Sequence, residues 1–272
     1  MNGARAHPSL AALEWGAGEH AVFLLHGVGG GRAIWSDELS GLGATLAAAG
    51  FHVWAPDLPG YGDSPSIEPW TLASVADSVH GLMRQVGAPR GWLVGHSMGG
   101  MVAQDLVARH PQAVAGLVLS ATSAAFGRSD GAWQRDFLHQ RLAPLDAGAG
   151  MPNLAPALID AMLAPGLDPA LRAGAVRVMS AVPEATYRAA LHALTGFDRR
   201  AALATIAVPT LCIAGSLDAN TPARLMQHMA ERVPGAEYQC LDGVGHLATL
   251  EVSAAFNAAT LNFLSRHNPV NG

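Results

Sequence analysis

Lysine is absent from this 272-residue chain, and all 16 of its Lys and Arg positions are arginine. Charged residues make up only 14% of the sequence, and the formal net charge at pH 7 is -5. A basic surface that would attract nucleic acid is therefore not predicted. A phosphate-binding loop of the type G-x-x-x-x-G-K-S/T is excluded as well, because that loop contacts phosphate through its lysine.

Cysteine and long apolar runs are also scarce. The chain has two cysteines, Cys212 and Cys240, and we expect both to be reduced because small secreted disulfide scaffolds carry many more. No window approaches the roughly 18 uninterrupted apolar residues of a membrane-spanning helix. Residues 1–13 lack the apolar run of a secretory signal. These absences together predict a soluble cytoplasmic protein that contacts no membrane.

The order of the apolar segments predicts one α/β domain with an insertion rather than two independent domains. Half of the residues are hydrophobic, which is enough for one large core. Short apolar segments alternate with helical periodicity in the first half of the chain, at 21–25, 51–55, 91–94 and 114–120. This alternation predicts right-handed crossovers and a mainly parallel sheet, which binds ligands at the carboxyl ends of its strands.

Three further elements are expected in this first half. Residues 10–15 and the turn at 16–19 indicate an opening hairpin. Helical periodicity predicts a helix over 33–49, with Trp35 packed against the sheet. A second helix is expected to begin at Thr71, a favourable residue for the N-cap, and to end near residue 86.

The alternation stops between residues 123 and 197. Helical segments follow one another there without an intervening strand, at 131–142, 153–164, 169–180 and 183–195. We therefore divide the chain into a first core part (1–122), a helical lid (123–197) and a second core part (198–272). One lid arginine could contact a substrate carboxylate; the candidates are Arg128, Arg135, Arg141, Arg172, Arg177 and Arg188. Strands resume at 208–214 and 236–241, and a closing helix is expected to about residue 263.

A G-x-S-x-G sequence centred on Ser97 joins one of the predicted strands to a helix. Strand, sharp turn and helix are the context that a nucleophile elbow requires, and Gly95 and Gly99 remove side chains that would collide across the turn. The helix that follows directs its free N–H groups and its dipole towards the place where negative charge would develop on a substrate. Ser97 is therefore the predicted nucleophile.

A glycine-rich loop, His26-Gly27-Val28-Gly29-Gly30-Gly31, follows the strand at 21–25. Such a loop can bring a backbone N–H close to a neighbouring group, and its place after a strand suits the second donor of an oxyanion hole. We predict that the Val28 and Met98 N–H groups form this hole. His26 is interpreted as a structural histidine beneath the loop.

A serine hydroxyl needs a base and a third group that orients the base. Asp218 and His246 each lie on a loop after a predicted strand, and the order Ser97, Asp218, His246 is the one that accompanies this elbow in α/β sheets. Asp242 is an alternative acid, but it is too close in sequence to His246 to orient the ring easily. Asp57 and Asp63 are interpreted as turn residues.

Four motifs, GHSMGG, HGVGG, AGSLDANTP and GVGHLATLE, resemble those of the α/β-hydrolase superfamily in similar order along nearly the whole chain. The resemblance implies a mostly parallel eight-stranded sheet flanked by helices, a lid after the sixth strand, no cofactor or metal, and hydrolysis through an acyl-enzyme. The elbow and the two later motifs are similar to those of 3-oxoadipate enol-lactonases and related small carboxylesterases. The implied substrate is a small carboxylic ester or lactone.

Other activities of this superfamily depend on particular residues. Haloalkane dehalogenases and epoxide hydrolases use an aspartate at the elbow, so Ser97 argues against both. Carbon–carbon hydrolases of ring-cleavage products keep the serine but usually carry asparagine before it, where this chain has His96. That activity and a cofactor-free perhydrolase stay open as alternatives. Non-enzymatic binding members have a degraded triad, whereas all three positions are intact here. The sequence does not predict an oligomeric state.

Overall fold

A single sheet runs through the computed structural model, which describes residues 9–127 and 131–268. Its strands are β1 (Ala12–Trp15), β2 (His20–Leu25), β3 (Phe51–Pro56), β4 (Gly91–His96), β5 (Val114–Ser120), β6 (Thr210–Gly215) and β7 (Glu237–Leu241). The spatial order is β1-β3-β2-β4-β5-β6-β7, and every neighbouring pair except β1 and β3 is parallel. The predicted mainly parallel α/β sheet is confirmed.

The helices are α1 (Leu42–Ala48), α2 (Leu72–Gln85), α3 (Met98–Arg109), α4 (Ala132–Asp146), α5 (Met151–Asp160), α6 (Pro169–Ser180), α7 (Glu184–Thr195), α8 (Ala223–Ala230), α9 (Ala248–Glu251) and α10 (Ser253–His267). Strands β4 and β6 are buried along their whole length, because helices cover both faces of a parallel sheet. Helix α3 packs on β4, β5 and α2, so the turn that begins α3 is held from several sides.

The expected count of eight strands is wrong for the described residues, which contain seven. The described part of the chain begins at residue 9, and β1 at residue 12 is the first strand of the described sheet. The helical insertion accordingly follows the fifth strand of this sheet rather than the sixth.

The predicted opening hairpin is also wrong, since β1 pairs with β3 and not with β2. The turn between β1 and β2 lies against the start of β3. A Cβ at Gly16 would be 2.3 Å from the Phe51 carbonyl oxygen, and one at Gly18 would be 1.7 Å from the Gly50 carbonyl oxygen. This close packing directs β1 along β3.

Two helix predictions differ in detail from the structure. The helix expected over 33–49 is divided into a 3-10 turn at Arg32–Trp35 and helix α1, because Gly41 takes a left-handed conformation with φ 64°. Trp35 is fully buried, as expected. The helix expected from Thr71 is confirmed, and Thr71 caps it through reciprocal hydrogen bonds with Ser74.

Helices α4 to α7 lie between β5 and β6 in sequence, where the lid was predicted. The two ends of this insertion are joined by backbone hydrogen bonds: Phe126 donates to Phe197 (3.0 Å), and Arg199 donates to Ala124 (2.7 Å). The chain therefore leaves the sheet and returns to it at one place. The division of the chain at 123 and 197 stays a prediction.

Cys212 in β6 and Cys240 in β7 are free thiols. Burial raises the pKa of the Cys212 thiol to about 12, so this side chain acts as an apolar core residue. Across residues 9–127 and 131–268, none of the helices combines the length and the apolar character needed to cross a bilayer.

Candidate active site

Ser97 lies in a sharp turn between β4 and α3. Its backbone has φ 52° and ψ -117°, a conformation that residues with a side chain rarely adopt. The surrounding backbone is crowded, because a Cβ at Gly95 would lie 2.5 Å from the Gly99 carbonyl oxygen, and one at Gly99 would lie 2.1 Å from the Leu25 carbonyl oxygen. The two glycines let the strand, the turn and the neighbouring strand pack closely enough to present Ser97.

Replacing Gly99 with alanine should therefore destabilise the protein. The new methyl group would collide with backbone atoms of β2 that cannot rotate away, so we expect a loss of about 2 kcal/mol or more in the free energy of unfolding. Urea unfolding measures the loss. Gly196→Ala is a matched control, since Gly196 has φ -96° and a Cβ there would meet its nearest atom at 3.9 Å. Equal destabilisation by the two substitutions would contradict the packing explanation.

The structure brings Ser97, His246 and Asp218 together, as the sequence predicted. His246 Nε2 is 3.1 Å from Ser97 Oγ, and His246 Nδ1 is 2.8 Å from Asp218 Oδ2. Both His246 and Asp218 are only 4% exposed. A carboxylate only accepts hydrogen bonds, so Nδ1 carries the ring proton and Nε2 is free to accept one from the serine hydroxyl.

Asp218 is itself fixed in place by the backbone. Its other oxygen, Oδ1, accepts hydrogen bonds from the N–H groups of Asn220 (2.8 Å) and Thr221 (2.9 Å). The carboxylate therefore has one oxygen committed to its own loop and one to His246. This division leaves it a single orientation towards the ring.

The other aspartates considered from the sequence lie elsewhere. Asp242 accepts a hydrogen bond from the Ser216 hydroxyl at 3.1 Å and is not bonded to His246. Asp57 accepts from the Arg32 N–H at 2.8 Å, and Asp63 forms an ion pair with the Arg32 guanidinium. Asp57 also accepts from the Asp63 N–H at 3.3 Å, in agreement with the interpretation of Asp57 and Asp63 as turn residues.

The glycine-rich loop after β2 lies directly beside Ser97. A Cβ at Gly27 would be 3.2 Å from the Ser97 Cβ. His26 holds the loop from below, since its Nδ1 donates to the Gly27 carbonyl (2.8 Å) and its Nε2 accepts from the Leu58 N–H (3.0 Å). Burial lowers the pKa of His26, and the neutral ring is the form that can donate at one nitrogen and accept at the other.

The two N–H groups predicted to form the oxyanion hole are available for an external acceptor. Within residues 9–127 and 131–268, neither the Val28 nor the Met98 N–H donates to a backbone carbonyl. Met98 is the first residue of α3, where a helix has no internal acceptor to offer. The peptide that carries the Val28 N–H is fixed through its carbonyl, since Gly27 O accepts from His26 Nδ1 (2.8 Å) and from the Gly30 N–H (3.0 Å). Their role as an oxyanion hole stays a prediction.

His96 forms part of the same group of buried side chains. Its ring centroid is 5.0 Å from that of His246, and within the described chain its Nδ1 has no hydrogen-bond partner. Burial holds the pKa of His96 well below the ordinary value, and the neighbouring His246 and His26 lower it further. His96 is therefore neutral, and the ring hydrogen-bonded to Ser97 is that of His246.

The helical insertion contacts two of the loops that carry these residues. Met179 of α6 lies over the glycine-rich loop, where a Cβ at Gly29 would be 2.9 Å from the methionine Cε. After the end of α5, the Met162 carbonyl accepts a hydrogen bond from the His246 N–H at 2.7 Å. The insertion thus covers the loop beside Ser97 and supports the loop that carries His246.

One side chain at this site was missed by sequence reasoning. The Glu251 carboxylate accepts three backbone N–H groups, from Gly245 (2.9 Å), Leu247 (2.9 Å) and Ala164 (2.8 Å). A glutamate in the first turn of a helix can fold back on the free N–H groups there, and the recognisable pattern is a capping box with the glutamate at the third helical position, whereas Glu251 is at the fourth. The signal was hidden because Leu247 occupies the N-cap position in place of serine or threonine.

No cluster of three or more His, Cys, Asp or Glu side chains in the described part of the chain could hold a metal ion. Two surface clefts of about 270 Å³ each lie away from Ser97. One is lined by residues of β6, β7 and α10, and the other by residues around β3 and the end of α2. Neither includes a member of the hydrogen-bonded group described above.

Comparison with known proteins agrees with this architecture. A family profile described as alpha/beta hydrolase fold matches residues 20–251. The chain is 30% identical over 270 residues to a pimeloyl-[acyl-carrier protein] methyl ester esterase of Neisseria meningitidis serogroup B, covering 89% of this chain and 92% of that protein. It is 30% identical over 263 residues to a 2-hydroxy-6-oxononadienedioate/2-hydroxy-6-oxononatrienedioate hydrolase of a Pseudomonas species, covering 95% of this chain and 92% of that protein.

A solved structure gives the same result. The enol-lactonase from Burkholderia xenovorans LB400 superposes with a TM-score of 0.82 at 25% identity, covering 94% of this chain and 96% of that one. The resemblance stated from the motifs is thereby confirmed. The profile match spans most of the chain and agrees with its sheet order and elbow, so this chain belongs to the α/β-hydrolase family.

Proposed function

We propose that the protein is a serine hydrolase that cleaves a carboxylic ester or lactone through an acyl-enzyme. The observation that carries this proposal is the unbroken chain of hydrogen bonds from Asp218 through His246 to Ser97. Its supports are the strained turn at Ser97 and the similarity to proteins named as an esterase and an enol-lactonase. These three side chains are the proposed catalytic residues.

The proposed acylation and deacylation steps follow from the hydrogen bonds among Ser97, His246 and Asp218. Ser97 Oγ attacks the substrate carbonyl carbon while His246 Nε2 accepts the hydroxyl proton, and Asp218 stabilises the imidazolium that forms. The oxyanion of the tetrahedral intermediate binds between the Val28 and Met98 N–H groups. As the C–O bond breaks, His246 returns the proton to the leaving alkoxide. Water then attacks the acyl-enzyme with His246 again acting as base, and His246 returns that proton to Ser97 Oγ as the acid is released.

The helical insertion is proposed to act as the lid of this site. Met179 covers the glycine-rich loop, and Met162 contacts the histidine loop, so a substrate must pass between the insertion and the sheet. Such a cover excludes water and strengthens the electrostatic contacts inside the site. The residues of the lid that face the substrate would then determine which substrates the protein accepts.

The arginines of the insertion differ in whether a carboxylate of the protein already binds them. Arg172 pairs with Asp160 (2.6 Å), and Arg188 pairs with Asp146 (2.7 Å) and Glu184 (2.8 Å). Arg128 lies outside the described residues. Arg141 lies over the Phe137 ring, 5.4 Å from its centroid.

Arg141 is the arginine that we propose for binding a substrate carboxylate. It lies beside the buried hydroxyl of Tyr187; burial raises the pKa of that hydroxyl, and the guanidinium opposes the increase. The preceding residue of α7, Thr186, donates to the Gly60 carbonyl at 2.8 Å, in the loop that also presents Tyr61 to Val28. Arg141 therefore lies beside a helix that contacts the loop holding Tyr61, and Tyr61 contacts the glycine-rich loop.

Arg141→Ala should weaken the binding of an anionic ester and leave a neutral ester unaffected. Losing a charged hydrogen bond costs about 2 kcal/mol, so KM for a p-nitrophenyl ester of a dicarboxylic acid should rise about tenfold or more. The matched neutral ester of the same length should keep its kinetics. Arg172→Ala is the control, because its guanidinium is already paired. Equal wild-type kinetics for the charged and neutral esters would contradict this assignment.

A substrate panel tests the proposed function itself. We expect turnover of short p-nitrophenyl esters and of at least one lactone. The similarity to a ring-cleavage-product hydrolase makes carbon–carbon bond hydrolysis the second candidate. Vinylogous diketones are therefore included in the panel, and product analysis distinguishes the reactions. An ester gives an acid and an alcohol and a lactone gives one hydroxy acid, whereas a diketone gives a carboxylic acid and an enol or ketone. Binding of the ligands without turnover of any would overturn the proposal.

A further inference from the structure

A single carboxylate joins the loop of His246 to the helical insertion. Glu251 Oε2 accepts from the Gly245 and Ala164 N–H groups, and Oε1 accepts from the Leu247 N–H. Gly245 and Leu247 are the two neighbours of His246 in the chain, so the peptide is held on both sides of the proposed base. Ala164 lies 87 residues before Glu251, in the segment that follows α5.

The histidine loop and this segment are packed too closely for independent movement. A Cβ at Gly245 would lie 2.6 Å from the Met162 carbonyl oxygen and 2.7 Å from the Ala164 nitrogen. The His246 N–H donates to the same Met162 carbonyl at 2.7 Å. Residues 245–247 thus pack directly against residues 162–164, and Glu251 is hydrogen-bonded to both segments.

We propose that Glu251 is a positioning residue that fixes His246 relative to Ser97 and couples the base to the insertion. This inference rests on the proposed catalytic role of His246. The His246 side chain is buried, and its ring must meet Ser97 on one side and Asp218 on the other, so the position of its backbone decides whether both hydrogen bonds can form. A displacement of residues 162–164 is transmitted to that backbone through Glu251 and Met162.

The chemistry of the contacts requires a carboxylate at position 251. Three N–H groups converge on its two oxygens, and hydrogen bonds to an ionised acceptor are about twice as strong as neutral ones. A glutamine would keep one acceptor oxygen and turn an NH2 group towards the remaining N–H donors. An alanine would leave all three donors without this partner. The effects are therefore expected to increase from Glu251→Gln to Glu251→Ala.

The first test measures the reactivity of Ser97 with a fluorophosphonate probe, which needs a positioned base but no knowledge of the natural substrate. We expect the labelling rate constant of Glu251→Ala to fall about 10–100-fold, as misplacing a catalytic group by about 1 Å does. Glu251→Gln should show a smaller loss in the same direction. Glu231→Ala is the control; Glu231 lies at the end of α8, and its exposed carboxylate pairs with His228. Its labelling rate should stay within about twofold of the wild type.

The second test separates positioning from a general loss of stability. Hydrogen exchange should become faster in 162–164 and 245–247 together, while the central strands keep their protection. With a substrate found by the panel, kcat should fall and KM should stay nearly unchanged. If Glu251→Ala does not fold, the same measurements on Glu251→Gln apply.

The outcomes distinguish this inference from the proposed function. Normal labelling and normal exchange in a folded Glu251→Gln or Glu251→Ala protein would overturn the inference and leave the function intact. Faster exchange in 245–247 alone would overturn the coupling to the insertion. Labelling that survives in the Ser97→Ala variant would instead overturn the proposed function.

Discussion

Ser97→Ala is expected to abolish ester hydrolysis. Without the hydroxyl no acyl-enzyme can form, and what remains is the effect of binding and of the oxyanion donors, so kcat should fall by at least about 10⁴-fold. Steady-state turnover of a short p-nitrophenyl ester measures the loss. Retention of half the wild-type rate would refute the assignment of the nucleophile.

The interpretation requires that the Ser97→Ala protein is folded. Alanine and serine experience similar strain at φ 52°, so the free energy of unfolding should change little. Circular dichroism and urea unfolding check this point. The variant should also lose labelling by the fluorophosphonate, which distinguishes a lost nucleophile from a slow later step.

Asp218→Asn should cost about 10⁴-fold in kcat, as the same change does in serine triads generally. Here the reason is visible in the hydrogen bonds. Position 218 accepts from the N–H groups of Asn220 and Thr221, so an asparagine would keep its oxygen on that side. Its NH2 group would then face His246 Nδ1. The ring must carry its proton on Nε2 to accept this donor, and it can no longer take the proton of Ser97.

Asp242→Asn is the matched control, because Asp242 is the other carboxylate near the histidine loop and bonds to Ser216. Its kcat should stay within about twofold of the wild type. If Asp242→Asn caused the large loss and Asp218→Asn did not, the assignment of the acid would be wrong. The expected difference in kcat between the two variants is several orders of magnitude, so a measurement at one pH is sufficient.

The parts of the site that could be predicted from the sequence are those fixed by local chemistry. The glycines around Ser97 are required because a Cβ at Gly99 or Gly95 would lie 2.1 or 2.5 Å from a carbonyl oxygen. This crowding explains why glycine recurs at fixed spacing around the serine. Asp218 and His246 follow the parallel neighbours β6 and β7, so their meeting at one edge of the sheet follows from parallel topology. The structure brings them together as expected.

The parts that could not be predicted depend on contacts between distant segments. The pairing of β1 with β3 depends on how the turn at Gly16 and Gly18 packs against Gly50, which no local pattern encodes. The break at Gly41 was missed because the apolar spacing continues across it. Glu251 was missed because one of its partners, Ala164, lies in a distant part of the chain. The sequence alone does not distinguish a glutamate that faces solvent from one that binds backbone N–H groups.

The paired ends of the insertion have a consequence for how this protein could be altered. Ala124 is hydrogen-bonded to Arg199 and Phe126 to Phe197, so the two chain segments that connect α4 to α7 with the sheet lie side by side. A helical region from another relative could be grafted there without changing the register of any strand. The graft would also need to supply a carbonyl and an N–H where Met162 and Ala164 now stand. Exchanging the helical insertion of this enzyme therefore also replaces part of the structure that supports His246.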